Sequence, residues 1–120
     1  MNYHDKTKEG LVLIEKYQVF YNYIYNPLLT APRRHKTFRD KFIETLLDQF
    51  QLLHEAIKSN QVSKVYLADA GIANIRSQLK LCPSKNVQRR ILSLKQVENS
   101  EALLSEVGKI LGKMLLGYKK

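Results

Sequence analysis

The chain's 120 residues make one domain of ordinary length, and its 44% hydrophobic and 26% charged residues are those of a folded protein, which excludes disorder. Twenty Lys and Arg against eleven Asp and Glu leave a formal charge of +9, which favours polyanions, nucleic acid first among them, with a merely solvated basic surface as the plain alternative. The single cysteine, Cys82, excludes an internal disulfide and a Cys-built zinc site and fits a cytoplasmic setting, while a polar Met1 to Gly10 stretch and the lack of an apolar run of about 20 residues argue against secretion and membrane spanning.

In chain order, the first helical segment runs from about Lys8 to Ala31, with Leu11, Ile14, Tyr17, Tyr21, Ile24 and Leu28 recurring every three or four residues. Pro27 is expected to kink this helix or end it just before, because its ring removes an amide donor and crowds the preceding turn. Pro32 and the basic cluster Arg33, Arg34, His35 and Lys36 make the first connection, with Thr37 available as an N-cap.

The second helix then reaches Lys58 on the stripe Phe38, Phe42, Leu46, Phe50, Leu53 and Ile57, while Asp40, Glu44, Asp48 and Glu55 take other faces. Ser59 and Asn60 form a short break, which sets the third helix, Val62 to about Leu81, antiparallel beside the second. Its stripe is Val62, Val65, Ile72 and Leu79, and the small residues Ala68, Ala70, Gly71 and Ala73 are suited to a close neighbour.

The connection from Cys82 to Ser93 contains Pro83 and is basic without acids. The fourth helix runs from about Leu94 to Leu116 on Val97, Leu104, Val107, Leu111 and Met114. Gly108 and Gly112 each cost about 1 kcal/mol of helix propensity, for which close packing is the expected reason. These elements predict an all-α, antiparallel up-down-up-down four-helix bundle forming one domain over residues 1–120.

Charge is segregated along the chain. No acid occurs from Lys16 to Arg39 or from Ala70 to Val97, whereas acids gather in the second helix and at Glu98, Glu101 and Glu106. In an up-down-up-down bundle the first and third connections share an end, so Arg33, Arg34, Lys36, Arg76, Lys80, Lys85, Arg89 and Arg90 form the candidate polyanion-binding set. No recognition helix or RNA-stacking motif marks base-specific reading.

Signals for catalysis are weak. His54 and Glu55 begin a metalloprotease-like helix motif, but Lys58 stands where the second histidine belongs, and the five glycines form no phosphate loop. Lys80 and Lys85 favour a lowered Cys82 pKa, although a lone thiol is more often a packed small residue. Tyr17, Tyr21, Tyr23 and Tyr25 suit either base stacking or core positions, the core reading being preferred. Asp69, on the apolar spacing of the third helix, needs a partner, and Arg76 is the candidate, through a tertiary contact or a subunit interface. No cofactor or metal is expected.

Two blocks carry a family resemblance: Ser59 to Gly71, SNQVSKVYLADAG, continuing through Ile72, Ala73 and Arg76, and Val97, Glu98 and Leu104 to Gly112, LSEVGKILG. They resemble the third- and fourth-helix signatures of the accessory variability determinant proteins of diversity-generating retroelements. The resemblance implies a non-enzymatic four-helix protein that assembles into a pentameric ring with a basic surface. It also implies association with the element's reverse transcriptase and RNA, in support of adenine-mutagenic cDNA synthesis that diversifies a target gene.

A looser resemblance extends to four-helix proteins encoded in intervening sequences of ribosomal RNA genes, which keeps a standalone RNA-binding bundle open, beside a purely structural oligomer. The sequence departs from the family pattern at Asn74, Ser77 and Gln78, where bulkier residues are usual, and it contains no Trp.

Overall fold

The computed structural model describes residues 3–84 and 90–118, with side chains from residue 8 onward. Four α-helices follow in order: α1 Tyr3–Leu29, α2 Lys36–Lys58, α3 Val62–Leu79 and α4 Leu94–Tyr118, with a 3-10 turn at Arg33–His35 before α2. Among the described residues, α1 and α3 each pack on α2 and α4, while the diagonal pairs stand farther apart across the core. The result is an all-α bundle of 51 × 22 × 20 Å.

Cross-helix contacts fix the antiparallel sense. Gly10, early in α1, lies against Ile57, late in α2, while Arg39, early in α2, donates to the Leu29 carbonyl at the end of α1 at 3.5 Å. Glu9 meets Lys113 at 3.4 Å, Lys16 meets Glu106 at 2.9 Å, and the Asn99 amide donates to the Tyr23 hydroxyl at 2.9 Å, so α1 and α4 also run in opposition. The reversal between α2 and α3 is made at Asn60, whose φ of 56° is left-handed, a conformation its short amide side chain tolerates after a helix C-cap.

The α2 stripe is as expected at Phe42, Leu46 and Leu53, all buried, with Phe38, Phe50 and Ile57 packed at the margin. In α1 the buried line is Leu13, Tyr17, Phe20, Ile24 and Leu28, and Leu11 is 63% exposed. Leu11, Val12, Leu13 and Ile14 are consecutive, so spacing alone admits more than one stripe there, and contact with α2 and α4 selects among them. Tyr17 is in the core, its hydroxyl donating to the Leu46 carbonyl at 2.6 Å and its ring edge-on to Phe50. Removal from water pushes its phenol well above the ordinary tyrosine range.

Three local expectations are corrected. Of the two outcomes expected at Pro27, an end just before it is overturned: the helix continues to Leu29, and the Asn26 carbonyl still receives the Thr30 amide at 3.1 Å; a proline so near the end costs one donor where little helix remains to be held. Thr37 is not the N-cap of α2, because the 3-10 turn runs straight into the helix. The His35 amide bonds to Pro32 and the Lys36 amide to Arg33, so the early donors are already satisfied by backbone. The α4 glycines are not explained by packing within the chain: a Cβ at Gly112 meets nothing within 4 Å, and one at Gly108 meets only the Arg76 guanidinium, at 4.0 Å.

Cys82 ties down the start of the α3–α4 connection. Its carbonyl accepts the Ile91 and Leu92 amides at 3.0 and 3.3 Å, and its fully buried thiol is pushed up to about 12 by loss of solvation, so a thiolate lowered by Lys80 and Lys85 is not what forms. The unfolded thiol ionises first as pH rises past about 9, so this contribution to stability is intact below pH 9. It is lost toward pH 12 at about 1.4 kcal/mol per pH unit. A thiol reagent at neutral pH is expected to label the native protein far more slowly than the urea-unfolded chain; equal labelling rates would contradict a packed Cys82.

Candidate functional site

The α1–α2 and α3–α4 connections converge at one end of the bundle. Pro27 from the last turns of α1, Thr30, Ala31 and Pro32 from the first connection, Arg90, Ile91 and Ser93 from the second and Gln96 from the start of α4 line one pocket there. Each connection is held from its own side. Thr30 Oγ1 donates to the Pro27 carbonyl at 3.0 Å, and the α4 N-terminus is closed by a reciprocal capping pair: the Gln96 amide donates to Ser93 Oγ at 3.1 Å and the Ser93 amide to Gln96 Oε1 at 2.9 Å.

Arg33 and Arg34 are exposed on the 3-10 turn, and Lys80 is exposed at the C-cap of α3. Arg90 is half-buried at the pocket. None of these four has an ion-pair partner among the described residues. Lys85 and Arg89 lie outside the described residues.

Lys36 is exposed but not free: Asp40 holds its ammonium at 3.5 Å and the Arg39 guanidinium at 3.0 Å. The Arg39 hydrogen bond, with the charges of Arg39 and Lys36 behind it, keeps the Asp40 carboxyl below the ordinary range. The other end of the molecule has mixed charge, with Glu9–Lys113 and Glu55–Lys64 pairs, the second at 4.0 Å. Arg33, Arg34, Lys80 and Arg90 thus share the end where the two connections meet, while Lys8 and Lys58, also without an ion-pair partner among the described residues, lie at the other.

Arg76 stands apart from that cluster. It is half-buried between α3 and α4, its Nη2 donating to Ser105 Oγ at 2.9 Å and its Nε buried without a hydrogen-bond partner. Within the chain no ion pair joins it to the half-buried Asp69, because seven residues along one helix separate the two by about 10 Å. Both lie on a second line of α3, Val62, Tyr66, Asp69, Ala73 and Arg76, one register off the core line Val65, Ala68, Ile72, Ile75 and Leu79.

Sequence reasoning missed Gln49, the one polar side chain from α2 in the core, 2% exposed, whose Nε2 donates to the Ala68 carbonyl at 2.9 Å against Gly71. Its spacing from Phe42, Leu46 and Leu53 puts position 49 on the core line of α2, and only the polarity of glutamine hides it there. The pocket residues Pro27, Pro32 and Gln96 were also missed, although the pattern Ser93 to Gln96 is a legible capping box.

Among known proteins, a family model described as bAvd-like matches residues 11–117. No curated protein matches the chain.

Proposed function

This chain belongs to the bAvd-like family, and from that premise we propose that it is a non-enzymatic accessory protein of a diversity-generating retroelement, joining the element's reverse transcriptase to RNA or cDNA. The observation that carries this reading is the meeting of two connections whose cations Arg33, Arg34, Lys80 and Arg90 have no acidic partner among the described residues. Such an end attracts phosphates without reading base sequence, as a subunit handling varied templates requires. Deleting the gene from a cell that carries the element tests it. Loss of adenine-directed substitution in the target gene is the expected result, and an unchanged substitution frequency would refute the role.

The same reading includes a homo-oligomer, a pentamer as the resemblance implies. Three features support it: the open space over Gly112, the exposed Val62 and Tyr66 on the second line of α3, and the unmatched Asp69 and Arg76 on that line. In the assembly Asp69 of one copy pairs with Arg76 of the next. Reversing the charge of the half-buried Asp69, Asp69→Arg, is expected to dissociate the oligomer in light scattering with the helical circular-dichroism signal unchanged; an oligomer that survives the change would refute the pairing. A monomeric wild type at tens of micromolar would defeat this part alone.

A further inference from the structure

The pocket between the two basic connections has a composition that the charge of this end does not require. We propose that it receives an unpaired nucleobase from a single strand lying across the basic end; the proposal rests on the reading of that end as a polyanion site. Its volume of about 320 Å³ is at the small end of ligand sites, room for one nucleotide and not for a duplex. Pro27, Pro32, Ala31 and Ile91 supply apolar walls against which the face of a ring sheds water.

Of the four polar side chains, Thr30 and Ser93 are hydroxyls engaged in local hydrogen bonds, and Arg90 and Gln96 bring free donors. Arg90 brings a planar guanidinium with no ion-pair partner among the described residues, suited to stack on a ring or hold the adjoining phosphate. Gln96 is fixed by the capping pair through Oε1, which leaves both hydrogens of Nε2 for a ring nitrogen or carbonyl acceptor. Among the described residues no carboxylate lines the pocket, which suits neither a divalent metal nor an amine. Inorganic phosphate would use Arg90 and leave the four apolar residues without a role. Arg33 and Arg34 follow Pro32 directly in the chain, within reach of phosphates flanking a seated base.

The test compares a short single-stranded RNA with an abasic strand of the same length and phosphate number, by fluorescence anisotropy over a range of salt. The natural strand is expected to bind roughly 5- to 150-fold tighter, the worth of about one stacked base. Ala31→Leu, which fills the pocket, is expected to abolish that difference and leave the salt dependence unchanged. Equal binding of both strands with salt dependence intact overturns the pocket and spares the basic end; absence of salt-dependent binding by either strand overturns both. Should Ala31→Leu fail to fold, titration of the wild type with adenosine monophosphate decides: a saturable shift of the Ile91 methyl resonance supports the pocket, and an unmoved Ile91 refutes it.

Discussion

Replacing Arg33, Arg34, Lys80 and Arg90 together by Ala is expected to weaken binding of single-stranded RNA by two to three orders of magnitude at about 0.15 M salt, with the helical circular-dichroism signal unchanged. The magnitude follows from counterion release. Each phosphate contact to a single strand returns about 0.7 of a counterion to solution, so four lost contacts remove a favourable term that grows as salt falls. The fold should tolerate the change because none of the four is buried or bound to an acid among the described residues. Lys36 and Arg39 are spared because Asp40 already holds them, and Arg76 because its bond to Ser105 makes its loss a packing defect. A quadruple variant that binds as tightly as wild type would remove this end of the bundle from consideration.

Gly71→Ala is expected to cost about 1–3 kcal/mol, a fall in Tm of about 4–12 °C for a chain of this size. A methyl there would collide with the Gln49 side chain, overlapping its Oε1 and standing 2.9 Å from its Cδ. Gln49 cannot swing away freely, since leaving the Ala68 carbonyl strands a buried amide in the α2–α3 interface. Shortening the partner should therefore relieve the clash: Gln49→Ala is expected to cost less in the Gly71→Ala background than alone, a coupling that a simple loss of glycine flexibility would not produce. Gly112→Ala, with nothing within 4 Å, should instead stabilise the isolated chain by up to about 1 kcal/mol. Thermal melts of Gly71→Ala, Gln49→Ala, their double variant and Gly112→Ala distinguish these cases.

The helices and their order were legible because prolines and glycines are few and the apolar spacing is regular; α2 was clearest, since Asp40, Glu44 and Asp48 leave one face for the core. In α1 the apolar residues spread over several faces, and only the neighbouring helices decide that Leu13 is buried and Leu11 exposed. Segregation of charge was likewise legible, but which cations stay unpaired was not. Asp40 follows the acid-free stretch by one residue and takes up both Lys36 and Arg39, while Arg76 is turned into α4 by Ser105, a residue 29 positions away. Cys82 reads in sequence as a packed small residue beside basic neighbours, and the turn that returns Ile91 and Leu92 to its carbonyl buries it. Position 49 falls on the 4-3-4-3 spacing of the α2 core line, but a polar residue there reads as a break in the stripe, and its contact with Gly71 emerges only from the packing of α2 on α3.

The most direct measurement of the central claim, that this basic end grips a phosphate backbone, is the affinity of the wild-type protein for a fluorescent single-stranded RNA across a salt series. The logarithm of the association constant is expected to fall linearly with the logarithm of salt concentration with a slope of about −3, the value for four phosphate contacts, and to be the same for a scrambled sequence. A slope near zero, or a strong preference for one sequence over its scramble, would contradict it.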